Sequence, residues 1–145
     1  MSSIEIGCFL AHPPEMVWRA LTDPHLLAKW LMPNDFQPRV GHRFTFTTNA
    51  VPDAGFDGII HCEVLELDAP RRLKISWQSK PALKTTVEWI STREGTGTRL
   101  VLIHEGFDDD DPLQRETARI LGGGWSSHLL PKISTVLNGL LSPEP

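Results

Sequence analysis

The sequence predicts an α+β domain, an antiparallel meander covered by one long C-terminal helix. Runs in which apolar and polar residues alternate, joined by short Gly, Asp and Pro turns, supply the meander. From Trp125 the spacing becomes helical, and Leu129, Ile133, Val136, Leu137 and Leu140 continue one apolar stripe over roughly 25 Å. The start of that helix is written in capping residues: Asp111 at N-cap, Pro112 at the first helical position, and Gln114 placed to reach back to the cap. A stripe this broad needs an apolar surface to cover. The prediction is therefore a cavity between the strands and the helix that closes them.

Taken in order, Ile4 to Ala11 reads as a strand with Ile4, Ile6, Cys8 and Leu10 on one face and Phe9 on the other. Pro13-Pro14-Glu15 stops it and starts a helix to about Leu21 that buries Val17, Trp18 and Leu21. Asp23-Pro24 opens a second short helix carrying Leu26, Leu27 and Trp30, which Pro33 ends. Arg43 to Asn49 alternates, with Phe44 and Phe46 inward. Ile59 to Leu67 is a strand with apolar residues on both faces, so its parity stays open and His61 can face either way. Arg72 to Gln78 turns Leu73, Ile75 and Trp77 inward, and Lys84 to Thr92 groups Thr85, Val87 and Trp89. The Glu94-Gly95-Thr96-Gly97 hairpin leads into Arg99 to Gly106, where Leu100, Leu102 and His104 share a face. Strands joined by such short turns are antiparallel, with half of the sheet wetted.

Composition narrows the function classes. One domain over residues 1–145, with its core in about 4–141, is the simplest organisation for 145 residues. A net charge of −4 gives no electrostatic reason to expect nucleic acid or an anionic membrane. No segment is apolar for the 18 residues a membrane helix needs. Met-Ser-Ser-Ile-Glu lacks the basic start and apolar run of a secretion signal, and two strand-borne cysteines, Cys8 and Cys62, read as reduced core thiols. Both point to the cytoplasm. Five Trp and six Phe stand against no Tyr, so no phenol serves as acid, base or donor. Asp108 to Asp111 read as a solvated loop favouring a helix N-terminus, and they lack the alternating ligands of a calcium loop. The tail Ser142-Pro143-Glu144-Pro145 reads as frayed.

The order of elements (strand, two short helices, about six strands, long closing helix, with about six or seven strands in the whole sheet) resembles the helix-grip fold of START-like and birch-pollen-allergen-like proteins. Local wording narrows the resemblance. Pro14-Glu15-Met16-Val17-Trp18-Arg19-Ala20-Leu21-Thr22-Asp23-Pro24 followed by Trp30 is similar to the opening of the bacterial family related to activators of the Hsp90 ATPase, the AHSA-like branch of the SRPBCC superfamily. Thr98 to Phe107 resembles its penultimate block, and Gly124-Trp125 with Leu129 its closing-helix signature. The resemblance implies a curved antiparallel sheet gripping the C-terminal helix, with a cavity between them. It also implies ligand carriers, polyketide cyclases and chaperone-binding domains as relatives. The chain departs from the pattern at Pro131, which leaves the Ser127 carbonyl without its donor and predicts a kink near Ser127 to Leu130.

His104 is the first candidate for chemistry. Parity turns its imidazole inward, where it must be hydrogen-bonded. Three roles stand open for it: a core histidine, a polar handle orienting a ligand, and a catalytic base, and the handle is the role carried forward. His61 and Cys62 are adjacent on a strand and point apart, so they do not share a metal ion with His104. His12, His25, His42 and His128 read as surface. Trp30, Trp77, Trp89 and Trp125 can each bury about 200 Å². With Phe44 and Phe46 they exceed what a compact core of this size needs, so some of them are expected to line the cavity with Val87, Leu102 and Leu129. No Gly-x-Ser-x-Gly elbow occurs, and Gly122-Gly123-Gly124 lacks the Lys and Ser/Thr of a phosphate loop.

The sequence thus predicts a non-catalytic domain that holds a small apolar or aromatic molecule between sheet and helix, with no cofactor and no metal. The rivals are a cyclase-like enzyme using His104 as base and a chaperone- or partner-binding module. A homodimer stays open.

Overall fold

A computed structural model describes residues 2–141. Strand β1 (Ser2–Leu10) is followed by helices α1 (Pro14–Thr22) and α2 (Pro24–Trp30). Then come β2 (Arg43–Thr47), β3 (Ile59–Asp68), β4 (Arg72–Ser79), β5 (Leu83–Glu94) and β6 (Gly97–Phe107). The chain ends in α3 (Pro112–Gly124), a π-helical turn (Trp125–Leu129) and α4 (Leu130–Leu141). The six strands form one curved antiparallel sheet in the order β1-β6-β5-β4-β3-β2. Its concave face holds the helices, which is the helix-grip arrangement.

The two tandem helices start as their prolines require. Pro14 and Pro24 each occupy a first-turn position, where no backbone donor is missed, and Asp23 caps α2 by accepting from His25 N at 2.9 Å. Their buried sides carry Val17, Ala20 and Leu21, then Leu26, Leu27 and Trp30. Trp18 is half-buried. The Trp30 indole donates to the Ala20 carbonyl at 2.8 Å and locks α2 onto α1.

Two irregularities in the sheet decide which side chains reach the concave face. In β3 the register slips between Val64 and Glu66, so Leu65 is an extra residue without a partner across the ladder. Before it Ile60, Cys62 and Val64 point inward; after it Leu67 does. The strand therefore changes parity halfway, and His61 faces outward. In β6 the alternation Thr98, Leu100, Leu102, His104 would turn position 106 inward, but Gly106 has φ +107° and Phe107 is buried instead. A Cβ at Gly106 would sit 3.3 Å from the Lys84 carbonyl oxygen, so only glycine makes this step.

The aromatic residues form one chain of ring contacts through the core. Phe36, Phe44, Phe46, Trp77, Trp125, Trp89 and Trp30 follow one another with centroids 5.1, 5.4, 5.6, 5.7, 6.1 and 6.5 Å apart. Each such contact adds about 0.5–1.5 kcal/mol to the area it buries. The aromatic excess in the composition is mostly consumed here, by rings packing on rings.

The C-terminal segment begins where its cap lies: Asp111 accepts from Leu113 N at 2.9 Å. Gln114 does not reach back to the cap. The Asp111 amide is already held by the Asp108 carbonyl at 3.2 Å, and Gln114 accepts from Asp108 N at 2.8 Å instead. The irregularity expected before Pro131 is a π-helical turn, closed by Leu130 N–H to the Trp125 carbonyl. A proline ring crowds the carbonyl four residues before it, and a wider turn relieves that crowding. Pro131→Ala returns the missing donor, and is expected to raise stability by about 1–2 kcal/mol. A lower melting midpoint would show instead that native packing depends on the π turn.

His12, expected at the surface, is buried at 3% exposure. It lies beneath α4, with Nε2 2.9 Å from Asn138 Oδ1, and its carbonyl accepts from the Thr98 hydroxyl at 2.7 Å. The Pro13-Pro14 stop folds the β1–α1 connection back under the last helix, and His12 goes with it. His25 and His128 are exposed and His42 is half-buried.

Candidate functional site

His104 is fully buried, and the atoms around it fix its tautomer. The Thr85 hydroxyl has one proton, which it donates to the Trp77 carbonyl at 2.8 Å. It must then accept from His104, whose Nε2 lies 2.8 Å away, so Nε2 carries the hydrogen. Nδ1 is left as an acceptor and receives the Trp125 indole N–H at 3.2 Å. Burial lowers the imidazole pKa from 6.5 to about 3, so the ring is neutral. The relay Trp125–His104–Thr85–Trp77 ties the π turn to β6, β5 and β4. Both imidazole nitrogens are engaged within the protein.

Beside this relay lies an apolar cavity of about 350 Å³. One wall is α3, through Leu113, Thr117, Ile120 and Leu121, continued by Trp125 and Leu129 of the π turn. The sheet side is Ile60, Trp77, Ser79 and Leu83, and the mouth is formed by Met32, Val51, Phe56 and Pro81 from the connections. No α3 side chain is buried. Ile120 is 58% exposed, Val51 49% and Leu113 38%, so apolar side chains of α3 and of the β2–β3 connection stand exposed around the opening.

Of the ten residues expected to line the cavity, Trp77, Trp125 and Leu129 do so. Trp30, Phe44, Phe46, Val87, Trp89 and Leu102 belong to the close-packed core, each at most 3% exposed. They face the same concave surface, but further along it, where α1, α2 and α4 fill the space. His104 stands behind the cavity wall, and its side chain meets the cavity only through Trp77 and Trp125. Its two nitrogens are held by Thr85 and Trp125, so it presents no free nitrogen to the cavity.

The wall contributed by α3 escaped the sequence reading. Leu113, Thr117, Ile120 and Leu121 fall at i, i+4, i+7 and i+8, a helical face that carries the stripe upstream of Trp125. The three glycines between them and Trp125 masked this continuity. A Cβ added at Gly122 would make ordinary contact with the Ile4 side chain at 3.8 Å, and Gly123 and Gly124 face open space, so packing does not demand glycine at any of the three. Cys62 is on the core side of β3, where burial, helped by Asp35, pushes its thiol pKa up and keeps it protonated. His61 is exposed on the opposite face. Among the described residues no three His, Cys, Asp or Glu side chains converge as a metal site would need. No helix among them is long and apolar enough to cross a membrane.

Comparison with known proteins agrees with this architecture. Residues 11–138 match the family model described as activator of Hsp90 ATPase homolog 1-like protein. The crystal structure of protein MLL2253 from Mesorhizobium loti is similar at 34% identity, covering 95% of this chain and 98% of that one, with a TM-score of 0.83. CalU16 from Micromonospora echinospora is 26% identical over 96% of this chain and 78% of its own, with a TM-score of 0.75. PFC0360w, an HSP90 activator from Plasmodium falciparum, shares the fold at 21% identity, over 95% of this chain and 97% of its own, with a TM-score of 0.73. None of the curated proteins matches the chain. Sequence, fold and helix-grip topology agree, and the chain belongs to the activator of Hsp90 ATPase homolog 1-like family.

Proposed function

We propose that the chain acts as a single binding domain that holds a small apolar or aromatic molecule in the cavity between α3 and the sheet, without chemical change to it. The observation that carries this reading is α3 itself: a thirteen-residue helix that buries none of its side chains and turns Leu113, Ile120 and Leu121 toward an apolar opening. Such a helix gains stability when something apolar fills the space beneath it, at about 25 cal/mol per Å² removed from water. A volume of about 350 Å³ is at the small end of ligand sites and suits a molecule of one or two rings. Binding is favoured over catalysis because His104, the base a cyclase-like mechanism would draw on, is neutral, buried and engaged at both nitrogens.

A hydrophobic naphthalene-based dye is expected to bind the folded protein saturably, one per chain, and to quench tryptophan fluorescence through Trp77 and Trp125. Absence of saturable uptake at any accessible dye concentration would contradict the proposal.

A further inference from the structure

The two sides of the cavity differ in what their polar groups still have to offer. On the α3 side each of those groups already makes a hydrogen bond within the protein. The Asp111 carboxylate accepts from Leu113 N at 2.9 Å. Gln114 accepts from Asp108 N at 2.8 Å and donates to the Ala82 carbonyl at 3.4 Å, and the Thr117 hydroxyl donates to the Leu113 carbonyl at 2.8 Å.

On the β4 side two groups, the Trp77 indole N–H and the Ser79 hydroxyl, make none among the described residues. Trp77 is 2% exposed, yet its indole N–H has no hydrogen-bond partner among the described residues. The unpartnered side-chain atoms sealed from solvent are His12 Nδ1, Trp89 Nε1 and Ser91 Oγ. Trp77 Nε1 is not one of them, so its N–H keeps an opening, and the space Trp77 borders is the cavity. Ser79 follows two residues later on the same face, about 7 Å along the strand, and its hydroxyl likewise has no partner among the described residues. Lys80 stands at the mouth with its side chain 71% exposed, and its ammonium is 3.8 Å from its nearest carboxylate, Asp57. An indole N–H, a hydroxyl and an ammonium thus follow one another along one edge, each able to donate, opposite the leucine and isoleucine side chains of α3.

We infer that the ligand is an organic acid: an apolar ring body lying against α3, with a carboxylate edge turned to Trp77, Ser79 and Lys80 of the sheet side. A carboxylate is acceptor-only and takes several donors at once, which is what this edge supplies. On this edge a cationic tip would find the Ser79 hydroxyl as its one acceptor, facing the indole N–H and the ammonium. The inference rests on the cavity being a ligand site, as proposed above.

The test uses the full chain and three probes with one body: naphthalene-2-carboxylate, 2-methylnaphthalene and 2-(aminomethyl)naphthalene. The carboxylate is expected to bind at least about tenfold more tightly than the methyl compound, as hydrogen bonds to a charged group imply, and the amine most weakly. Its binding should move the Trp77 indole N–H resonance downfield, identified by its loss in Trp77→Phe, while the methyl compound leaves it in place. Ser79→Ala and Lys80→Met should together remove most of the carboxylate's advantage, read within the double variant as the ratio of its affinities for naphthalene-2-carboxylate and 2-methylnaphthalene. Equal binding of the carboxylate and methyl probes, or carboxylate binding that leaves the Trp77 resonance unmoved, overturns the acid and leaves the apolar site standing. Binding of none of the three overturns both.

Discussion

Trp125→Ala is expected to lower the unfolding free energy by about 3–5 kcal/mol, the cost of removing a fully buried indole from a core that relaxes only in part. Against a total of about 5–15 kcal/mol for an ordinary domain, this is the largest single loss predicted for the chain. Three connections end at that ring. It contacts Trp77 and Trp89 at centroid distances of 5.7 and 6.1 Å, and its N–H is the donor for His104 Nδ1. The substitution also opens the cavity into the core, since the ring stands between them. Trp125→Phe separates the two contributions: it keeps a ring but leaves Nδ1 without a donor, at a cost of about 1–3 kcal/mol. Chemical denaturation of both variants measures the pair, and a loss below about 1 kcal/mol for the alanine variant would mean the π turn is not anchored through Trp125.

The second large effect is a dependence of stability on pH through His104. Its folded-state pKa lies at about 3, against 6.5 without burial. Between those values the unfolded chain binds a proton at this ring that the folded chain does not. Stability is therefore full above about pH 6.5 and falls as the pH drops, at about 1.4 kcal/mol per unit. From pH 6.5 to 4.5 the loss is about 2–3 kcal/mol. Carboxylates contribute their own slopes at the acid end, so the quantity to measure is the difference between wild type and His104→Gln. The variant is expected to be less stable at pH 7 but to lose less on acidification. Parallel curves would show that the folded protein protonates this imidazole as readily as the unfolded chain does, contrary to its burial.

Most of the fold was legible because the chain states its elements locally. Asp23-Pro24 and Asp111-Pro112 mark helix starts by the groups they satisfy, and strict alternation in Arg43–Thr47 and Arg72–Ser79 sets which residues face the helices. The limits of that legibility are physical. Leu65 is inserted by a bulge, so β3 has no single parity to read, and a bulge depends on the neighbouring strand. Phe107 turns inward only because Gly106 adopts a positive φ. At the site, Trp77, Trp125 and Leu129 were identifiable from inward parity and the helical stripe. Trp30 and Trp89 have the same inward orientation but meet other rings, and orientation alone does not tell a packed face from an empty one. Whether a concave surface is filled depends on where α1, α2 and α4 lie, which no single strand encodes. The α3 wall was present in the spacing of Leu113, Thr117, Ile120 and Leu121, interrupted by glycines that carry no apolar signal.

The most direct test of a binding site between α3 and β4 is to fill it. Leu121 lines the cavity from α3 and is half-buried, so a larger side chain there projects into the space a ligand would occupy. Leu121→Trp is predicted to abolish saturable dye binding while leaving the melting midpoint unchanged or higher, because the new indole covers apolar surface now open to water. Undiminished one-to-one dye binding by a folded Leu121→Trp variant would contradict the account.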